Sequence, residues 1–188
     1  MHSRRELEGE LEPGERLLWS GQPKQGLLLR SNDWFMIPFS LLWGGFAISW
    51  ELGVLDMAAK TGQPMGFVMA LFGIPFVLVG LYLIAGRFFV DSHMRAKTHY
   101  GVTDQRAVIV SGLLSRKVTS LPFKSMPQVT LTERSDGSGT ITFGQPVPFA
   151  FMSEGLNWPG MGSWTVPAFS LIENAKDVYR QIRSAQDA

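Results

Sequence analysis

The chain has 188 residues, of which 45% are hydrophobic and 18% are charged, with a formal net charge of +1. Its lack of cysteine excludes a disulfide framework, a thiol nucleophile and a cysteine-ligated metal site. The small total charge hides an asymmetry. Residues 1–15 hold two arginines against five glutamates, a net of −3, whereas residues 87–124 hold seven basic against two acidic side chains, a net of +5.

Two apolar runs predict a pair of membrane-spanning helices. Residues 34–50 carry no charge and have Trp34 and Trp50 at their ends, where indole rings favour the level of the lipid headgroups. This run reaches roughly 25 Å, so flanking residues up to Leu55 are expected to complete the crossing. The second run, residues 61–86, is also uncharged and is long enough to span with some tilt. We therefore predict a transmembrane hairpin over residues 34–90, with helices at about 34–55 and 65–88.

The distribution of Lys and Arg predicts the orientation of this hairpin. The connection, about residues 51–64, holds one basic residue, Lys60, whereas several basic residues flank the opposite ends of both spans. Because basic residues collect on the cytoplasmic side, both termini are expected in the cytoplasm and the connection outside. No ionisable residue falls inside the predicted spans, which argues against a pump or transporter.

After Val90 the sequence changes to the pattern of a small β-sheet. Short runs of strand-forming residues alternate with turn residues such as Asp104-Gln105, Gly112 and the SDGSG stretch at 135–139. Five strands in this order predict a meandering antiparallel sheet. The five segments are residues 99–103, 106–112, 113–122, 128–134 and 140–144.

The end of the chain predicts one amphipathic helix. Ala175, Val178, Tyr179 and Ile182 follow the i, i+3, i+4, i+7 spacing of an apolar helical face, and Asn174 is the expected N-cap. A β-meander closed by one C-terminal helix is the outline of a pleckstrin-homology-like (PH-like) barrel.

Several short motifs resemble those of bacterial pleckstrin-homology (bPH) domain membrane proteins. They are Tyr100-x-Val102-Thr103-x-x-Arg106, Gly112, Arg116-Lys117-Val118, Leu121-Pro122 and the hairpin Gly137-Ser138-Gly139-Thr140-Ile141-x-Phe143. The N-terminal LEPGERLLWSGQP is also similar to a segment that precedes a pair of membrane helices in that family. The resemblance implies a membrane protein in which a two-helix transmembrane hairpin carries an α+β PH-like split β-barrel with a C-terminal helix. It brings no catalytic residue, because the family has no single activity.

These features divide the chain into three expected parts. Residues 1–33 form an N-terminal cytoplasmic segment that adds a strand to the β-module or packs on it. Residues 34–90 form the transmembrane hairpin, and residues 91–188 form the cytoplasmic bPH-like domain. The expected location is the cytoplasmic (inner) membrane.

The basic block after the second span is the first candidate functional feature. It is expected to lie near an anionic leaflet, which attracts each Lys or Arg by about 1 kcal/mol. Alternatively, these residues only fix the orientation of the hairpin. The candidate lipid-contact residues are Arg87, Arg95, Lys97, Arg116 and Lys117. Since the last two are adjacent on a strand and point to opposite faces, no phosphoinositide pocket is predicted.

The stretch from Pro146 to Phe169 is the second candidate feature. It is rich in proline and glycine, and long loops without their own secondary structure are often functional. One interpretation is an apolar loop that enters the headgroup layer or covers a partner groove; the other, which we favour, is a loop that folds back to complete the core. The aromatic candidates are Phe149, Phe151, Trp158 and Trp164.

No residue pattern predicts catalysis, a cofactor or a metal site. Asp91, His93 and His99 match no compact ligand spacing, and both histidines are expected to be solvated in a linker. The expected function is therefore non-catalytic: an integral membrane scaffold or adaptor that presents its PH-like domain to protein partners at the cytoplasmic membrane face. A module that senses lipid headgroups is the alternative. Membrane lipids and membrane proteins are the expected partners, and nucleic acid is not.

Overall fold

The computed structural model describes residues 2–29, 33–112, 115–126, 128–145 and 166–187. These residues fall into two compact units. The β-unit is drawn from residues 2–27 and from the residues that follow Val90, and the helical unit from residues 28–90. In chain order the elements are α1 (His2–Glu8), β1 (Leu17–Gly21), α2 (Asp33–Thr61), α3 (Pro64–Leu81), a π-helical turn (Tyr82–Gly86), α4 (Arg87–Ala96), β2 (His99–Thr103), β3 (Arg106–Ser111), β4 (Lys117–Pro122), a 3-10 turn (Phe123–Ser125), β5 (Val129–Glu133), β6 (Gly139–Phe143), β7 (Ala168–Ile172) and α5 (Ala175–Gln186).

The helical unit pairs α2 with the helix that starts at Pro64. The predicted end of the first helix near residue 55 is wrong, because α2 continues to Thr61 and the connection is only residues 62–63. Residues 51–61 contain good helix formers, and the helix stops where Gly62 adopts a positive φ of 63°. Pro64 then opens α3, in the first turn where its missing N–H costs nothing.

The longer first helix changes the position of one charged residue. Glu51, which the sequence places in the connection, lies within α2 opposite Gly73 of α3. The expectation that no ionisable residue falls within the apolar helices is therefore wrong. A Cβ added at Gly73 would overlap the Glu51 carboxylate, so the glycine makes room for this side chain between the two helices.

The β-unit contains two antiparallel sheets. Their strand orders are β1-β2-β3-β4 and β5-β6-β7. The five predicted strands correspond to β2 through β6, but they are divided between two sheets, so the prediction of one meandering sheet is wrong. Strand β1 is the strand that the N-terminal segment was expected to add, and β7 is additional. Together with α5 at the C-terminal end, the sheets form a PH-like domain.

Strand β1 precedes the helical hairpin in the sequence, whereas the other strands of its sheet follow the hairpin. It pairs antiparallel with β2, with Ser20 opposite Gly101 and Gly21 opposite Tyr100. In sequence, the hairpin is thus inserted between two neighbouring strands of one sheet. The β-unit is therefore broader than residues 91–188, because its first sheet includes a strand that precedes the hairpin.

Aromatic side chains from both sheets meet in the core of the β-unit. Phe169 of β7 is fully buried and stacks on Tyr100 of β2, with ring centroids 4.7 Å apart. The ring of Phe143 in β6 contacts the Phe169 ring edge-on, with centroids 4.9 Å apart. Trp19 of β1 also stacks on Phe169, at a centroid distance of 5.9 Å. The Tyr100 hydroxyl accepts a hydrogen bond from the Ser170 N–H at 3.1 Å. The core therefore draws on residues before and after the hairpin.

Helix α5 packs on this core with the face that its sequence predicts. Ala175, Val178 and Ile182 are buried, which confirms the predicted apolar stripe. Asn174 occupies the N-cap position, but its side chain makes no capping hydrogen bond, because the residue adopts a left-handed conformation with φ 50°. It acts instead as the turn between β7 and α5, a role that asparagine tolerates better than most residues.

A buried ionic network ties the N-terminal segment to the β2–β3 turn. Arg106 donates from Nε and Nη2 to the two carboxylate oxygens of Glu15, both at 2.8 Å. The Thr103 hydroxyl donates to Glu15 Oε1 at 2.7 Å and accepts from the Arg106 N–H at 2.9 Å. The side chain of Glu15 is 1% exposed and that of Arg106 is 16% exposed. These hydrogen bonds lower the pKa of Glu15 to about 2, with Arg106 as the largest cause.

This network predicts an acid-sensitive fold. Because the Glu15 pKa in the folded protein, about 2, lies below its ordinary value of 4.5, the carboxylate stabilises the fold above pH 4.5. That contribution, about 3 kcal/mol in the free energy of unfolding, is lost as the pH falls from 4.5 toward 2. Glu15→Gln should lower stability at pH 7 by a similar amount and flatten the acid limb, as measured by chemical denaturation of the full chain in detergent.

Glu12→Gln is the matched control, since Glu12 contacts the same arginine at 3.1 Å but its side chain is 66% exposed. That variant should lose less than about 1 kcal/mol. Equal losses for the two variants would contradict the central role of Glu15.

Candidate functional site

Arg87, the first of the predicted lipid-contact residues, is buried inside the helical unit. Its side chain is 4% exposed and pairs with Asp33 at 2.7 Å. Its Nε donates to the Leu83 carbonyl at 2.9 Å. The guanidinium is therefore committed to its own helical unit and is not presented to a lipid surface.

Arg95 is likewise an internal residue. Its side chain is 6% exposed and pairs with Asp91 one helical turn earlier, at 2.8 Å. It also donates to the carbonyls of Lys24 and Gly26, which fixes the segment after β1 against α4. The predicted role of Arg95 in lipid contact is therefore corrected to a structural one, because nearly all of its polar surface is used inside the β-unit.

The other three basic candidates remain at the surface. Arg116 is half exposed and pairs with Glu10 at 3.0 Å, within the acidic N-terminal segment. Lys97 and Lys117 are exposed. The five residues are therefore not gathered into a single basic surface, since two of them are buried in separate ion pairs.

The remaining sequence candidates have mixed outcomes. His93 is exposed on α4, but His99 is buried in β2, with its Nδ1 3.2 Å from Gln22 Nε2, so the expectation of two solvated histidines is wrong. Phe149, Phe151, Trp158 and Trp164 lie outside the described residues. At the end of the same stretch, Ala168–Phe169 begin strand β7, where Phe169 completes the core as described above.

A polar groove in the β-unit is the candidate site that the sequence did not reveal. It has a volume of about 690 Å³ and runs between the segment that follows β1 and the start of α5. Its lining combines one aromatic ring, three glutamine amides and two carboxylates. These side chains belong to Trp19, Gln22, Gln25, Gln181, Glu173 and Asp177.

Backbone contacts shape this groove. The Lys24 N–H donates to the Leu171 carbonyl at 2.8 Å, which holds residues 22–25 beside β7. Leu171 adopts a left-handed φ of 53°, a strained conformation for a leucine. The Trp19 ring lies over Gly21, where any Cβ would overlap it. The glycine therefore allows the indole to form one wall of the groove.

The charge of the groove is predominantly acidic. Its one lysine, Lys24, is engaged by Asp136 at 3.3 Å, and hydrogen bonds from Ser138 and Lys24 lower the pKa of Asp136 to about 2. Glu173 and Asp177 are exposed, although Asp177 also contacts Arg180 at 3.1 Å. Such a groove can accept a cationic side chain through its carboxylates. The side-chain amides of Gln22 and Gln25 already donate to backbone carbonyls within the β-unit, so they help to hold the groove wall in place.

Metal ligation has no visible basis in the part of the chain that the structure describes. There, no group of three or more His, Asp or Glu side chains is placed to hold a metal ion.

The polar groove could not be predicted from the sequence, because its two walls are more than 140 residues apart along the chain. The available local signals were the amide-rich SGQPKQG segment and the polar face of α5.

The placement of the basic block predicts unequal effects of two neighbouring substitutions. Arg95→Ala should destabilise the full chain by about 3 kcal/mol, because it leaves the buried Asp91 carboxylate and two carbonyls without their donor. Lys97→Ala, at an exposed position on the same segment, should change stability by less than about 0.5 kcal/mol. Denaturant unfolding in detergent measures both. A larger loss for Lys97→Ala would contradict the placement of these residues.

Comparison with known proteins places this architecture in one family. The family described as bacterial PH domain matches residues 52–186. No match was found among curated proteins or solved structures. The matched range covers most of the chain, including β2 to β7 and α5, and it leaves β1 and the Glu15 segment outside. The chain belongs to the bacterial PH domain family.

Proposed function

We propose that this chain is a membrane-anchored, non-catalytic scaffold or adaptor that binds a basic segment of a partner protein in the polar groove of its PH-like domain. The observation that carries the proposal is the composition of the groove, which combines two exposed carboxylates with a tryptophan ring and glutamine amides. PH-like domains offer surfaces for proteins or lipids, and an acidic groove favours a basic peptide over an anionic headgroup.

The anchoring part of the proposal is supported by the two long apolar helices. The 18-residue apolar windows within residues 33–61 and 64–96 have mean hydropathies of 1.3 and 2.5, and only 22% of each window is buried. Trp34, for example, is 90% exposed and Leu42 is 74% exposed. A core helix of a soluble protein would bury such side chains, whereas lipid accepts them.

The ion pairing of three arginines favours protein recognition over lipid sensing. Arg87 and Arg95 are buried in ion pairs, and Arg116 is paired with Glu10. Lipid contact remains the second candidate, since Lys117 on β4 is exposed beside Val118, an apolar residue that is itself 42% exposed. A single lysine contributes only about 1 kcal/mol at an anionic surface.

The groove predicts selective binding of basic peptides. Full-length protein in lipid nanodiscs is titrated with fluorescent peptides of matched length, either Lys/Arg-containing or Asp/Glu-containing. The basic set should bind more tightly and in a salt-sensitive manner, and the double variant Glu173→Gln/Asp177→Asn should weaken that binding about tenfold or more.

Glu133→Gln is the control for this titration, because Glu133 is an exposed carboxylate on β5 that does not line the groove. Equal binding of both peptide sets, or an equal effect of the control, would contradict the groove assignment. Salt-sensitive binding to anionic vesicles that is lost in Lys117→Ala would support the lipid-sensing alternative.

The proposed topology, with both termini cytoplasmic, predicts opposite labelling of two single cysteines. Since the chain has no native cysteine, Thr61→Cys in the exposed end of α2 and Ser125→Cys in the exposed 3-10 turn are the only thiols in their variants. A membrane-impermeant maleimide applied to intact cells should label Thr61→Cys and leave Ser125→Cys unlabelled until the cells are opened. Labelling of both from the same side would contradict the topology.

A further inference from the structure

Glu51 is an ionisable side chain in an unusual position. It lies in α2 and faces Gly73 of α3, where the missing Cβ leaves space for its carboxylate. Its Oε2 is buried and has no hydrogen-bond partner. The residue as a whole is partly exposed. This helical unit therefore contains a carboxylate that its own helices do not satisfy.

The position of Gly73 sets the depth of this carboxylate. Gly73 lies eight residues after Met65 and thirteen before Gly86, in a run without any charge. At the rise of an α-helix these separations are about 12 Å and about 20 Å, so the carboxylate lies beside the uncharged run and not at either of its ends. An ionisable group placed there is costly unless it is paired, and such groups usually mark functional sites.

An aromatic cavity lies in the same helix pair, and its wall includes Trp50, the residue before Glu51. It has a volume of about 210 Å³, more than the roughly 150 Å³ that accommodates a benzene molecule. The ring of Trp50 forms part of its wall and, like the Glu51 carboxylate, lies against Gly73. Phe46 and Phe72, also in the wall, are 69% and 63% exposed, so the cavity faces the outside of the pair. The full lining is Trp43, Phe46, Ala47, Trp50, Phe72 and Phe76.

Aromatic faces next to a carboxylate are the chemistry that accepts a cation. The faces of Trp and Phe rings attract an ammonium or guanidinium group, more strongly when water is excluded, and the carboxylate supplies a charge-assisted hydrogen bond. A neutral apolar side chain would fill the cavity but would leave Glu51 Oε2 without a hydrogen-bond partner. The occupant that fits both features is therefore the side chain of a lysine or arginine.

We propose that Glu51 and the aromatic cavity form an intramembrane docking site for a partner transmembrane helix that presents a lysine or arginine at the same depth. The inference rests on the proposed membrane-spanning hairpin and is independent of the peptide groove in the β-unit. It gives the hairpin a recognition role in addition to anchoring.

A designed transmembrane peptide tests this site. Full-length Thr61→Cys protein, labelled with a donor fluorophore, is reconstituted in vesicles with an acceptor-labelled polyleucine helix that carries one central lysine, or with the same helix carrying leucine there. Energy transfer should show that the lysine peptide associates about tenfold more strongly than the leucine peptide. Glu51→Leu, combined with Thr61→Cys, should abolish the difference, and the near-isosteric Glu51→Gln should reduce it while keeping the helix pair intact.

Asp56→Asn is the matched control, because Asp56 is an acidic residue on the same helix that is exposed and paired with Lys60. It should leave the lysine preference unchanged. Equal association of the two peptides, or a preference that survives Glu51→Leu, would overturn the proposal. Energy transfer between protein copies that disappears in Glu51→Gln, without any lysine preference, would also overturn it and would assign Glu51 to self-association. Cysteine labelling and the peptide-groove titration report on the proposed function separately, so either account can fail alone.

Discussion

The ion pair between Glu15 and Arg106 joins two segments that the helical hairpin separates in sequence. Both side chains are largely withdrawn from solvent, and Arg106 holds the Glu15 carboxylate through two hydrogen bonds of 2.8 Å. Loss of either partner would leave the other charge poorly compensated, which is far more costly than loss of an exposed pair. Strand β1 begins two residues after Glu15, and its partner strand β2 ends at Thr103, which binds the same carboxylate. The PH-like domain of this chain is therefore completed only when the segments on both sides of the hairpin meet.

Two other arginines are also buried in ion pairs. Arg87 and Arg95 both lie on α4. Each forms an ion pair with a buried carboxylate and donates hydrogen bonds to backbone carbonyls. Two of the five basic residues that suggest a lipid-binding surface in the sequence thus hold local structure instead. The surfaces left for recognition are of the opposite character: an acidic groove beside α5, and a carboxylate next to aromatic rings between the two apolar helices. We propose that both select cationic partners.

Local periodicity carried the sequence predictions that succeeded. The two apolar helices, strands β2 to β6 and the buried face of α5 follow from patterns within short windows. Strand β7 did not, because its strand character depends on a partner far away in the sequence. For the N-terminal segment the sequence left two alternatives, an added strand or a packed segment, and β1 is the added strand. The end of α2 was misplaced because Glu51 was taken as the limit of the apolar run, whereas helix propensity continues to Gly62. The burial of Arg95 and the shape of the groove depend on tertiary contacts with residues 22–26, so no local pattern could indicate them.

Hydrogen exchange of the full chain in lipid nanodiscs tests most directly whether β1 completes the domain. We expect the amides of residues 17–21 to be protected to within about tenfold of those of β2, since the two strands share one sheet. Both strands should lose protection together in Glu15→Gln. Exchange of residues 17–21 at the rate of an unstructured peptide, while β2 and β3 stay protected, would contradict the account.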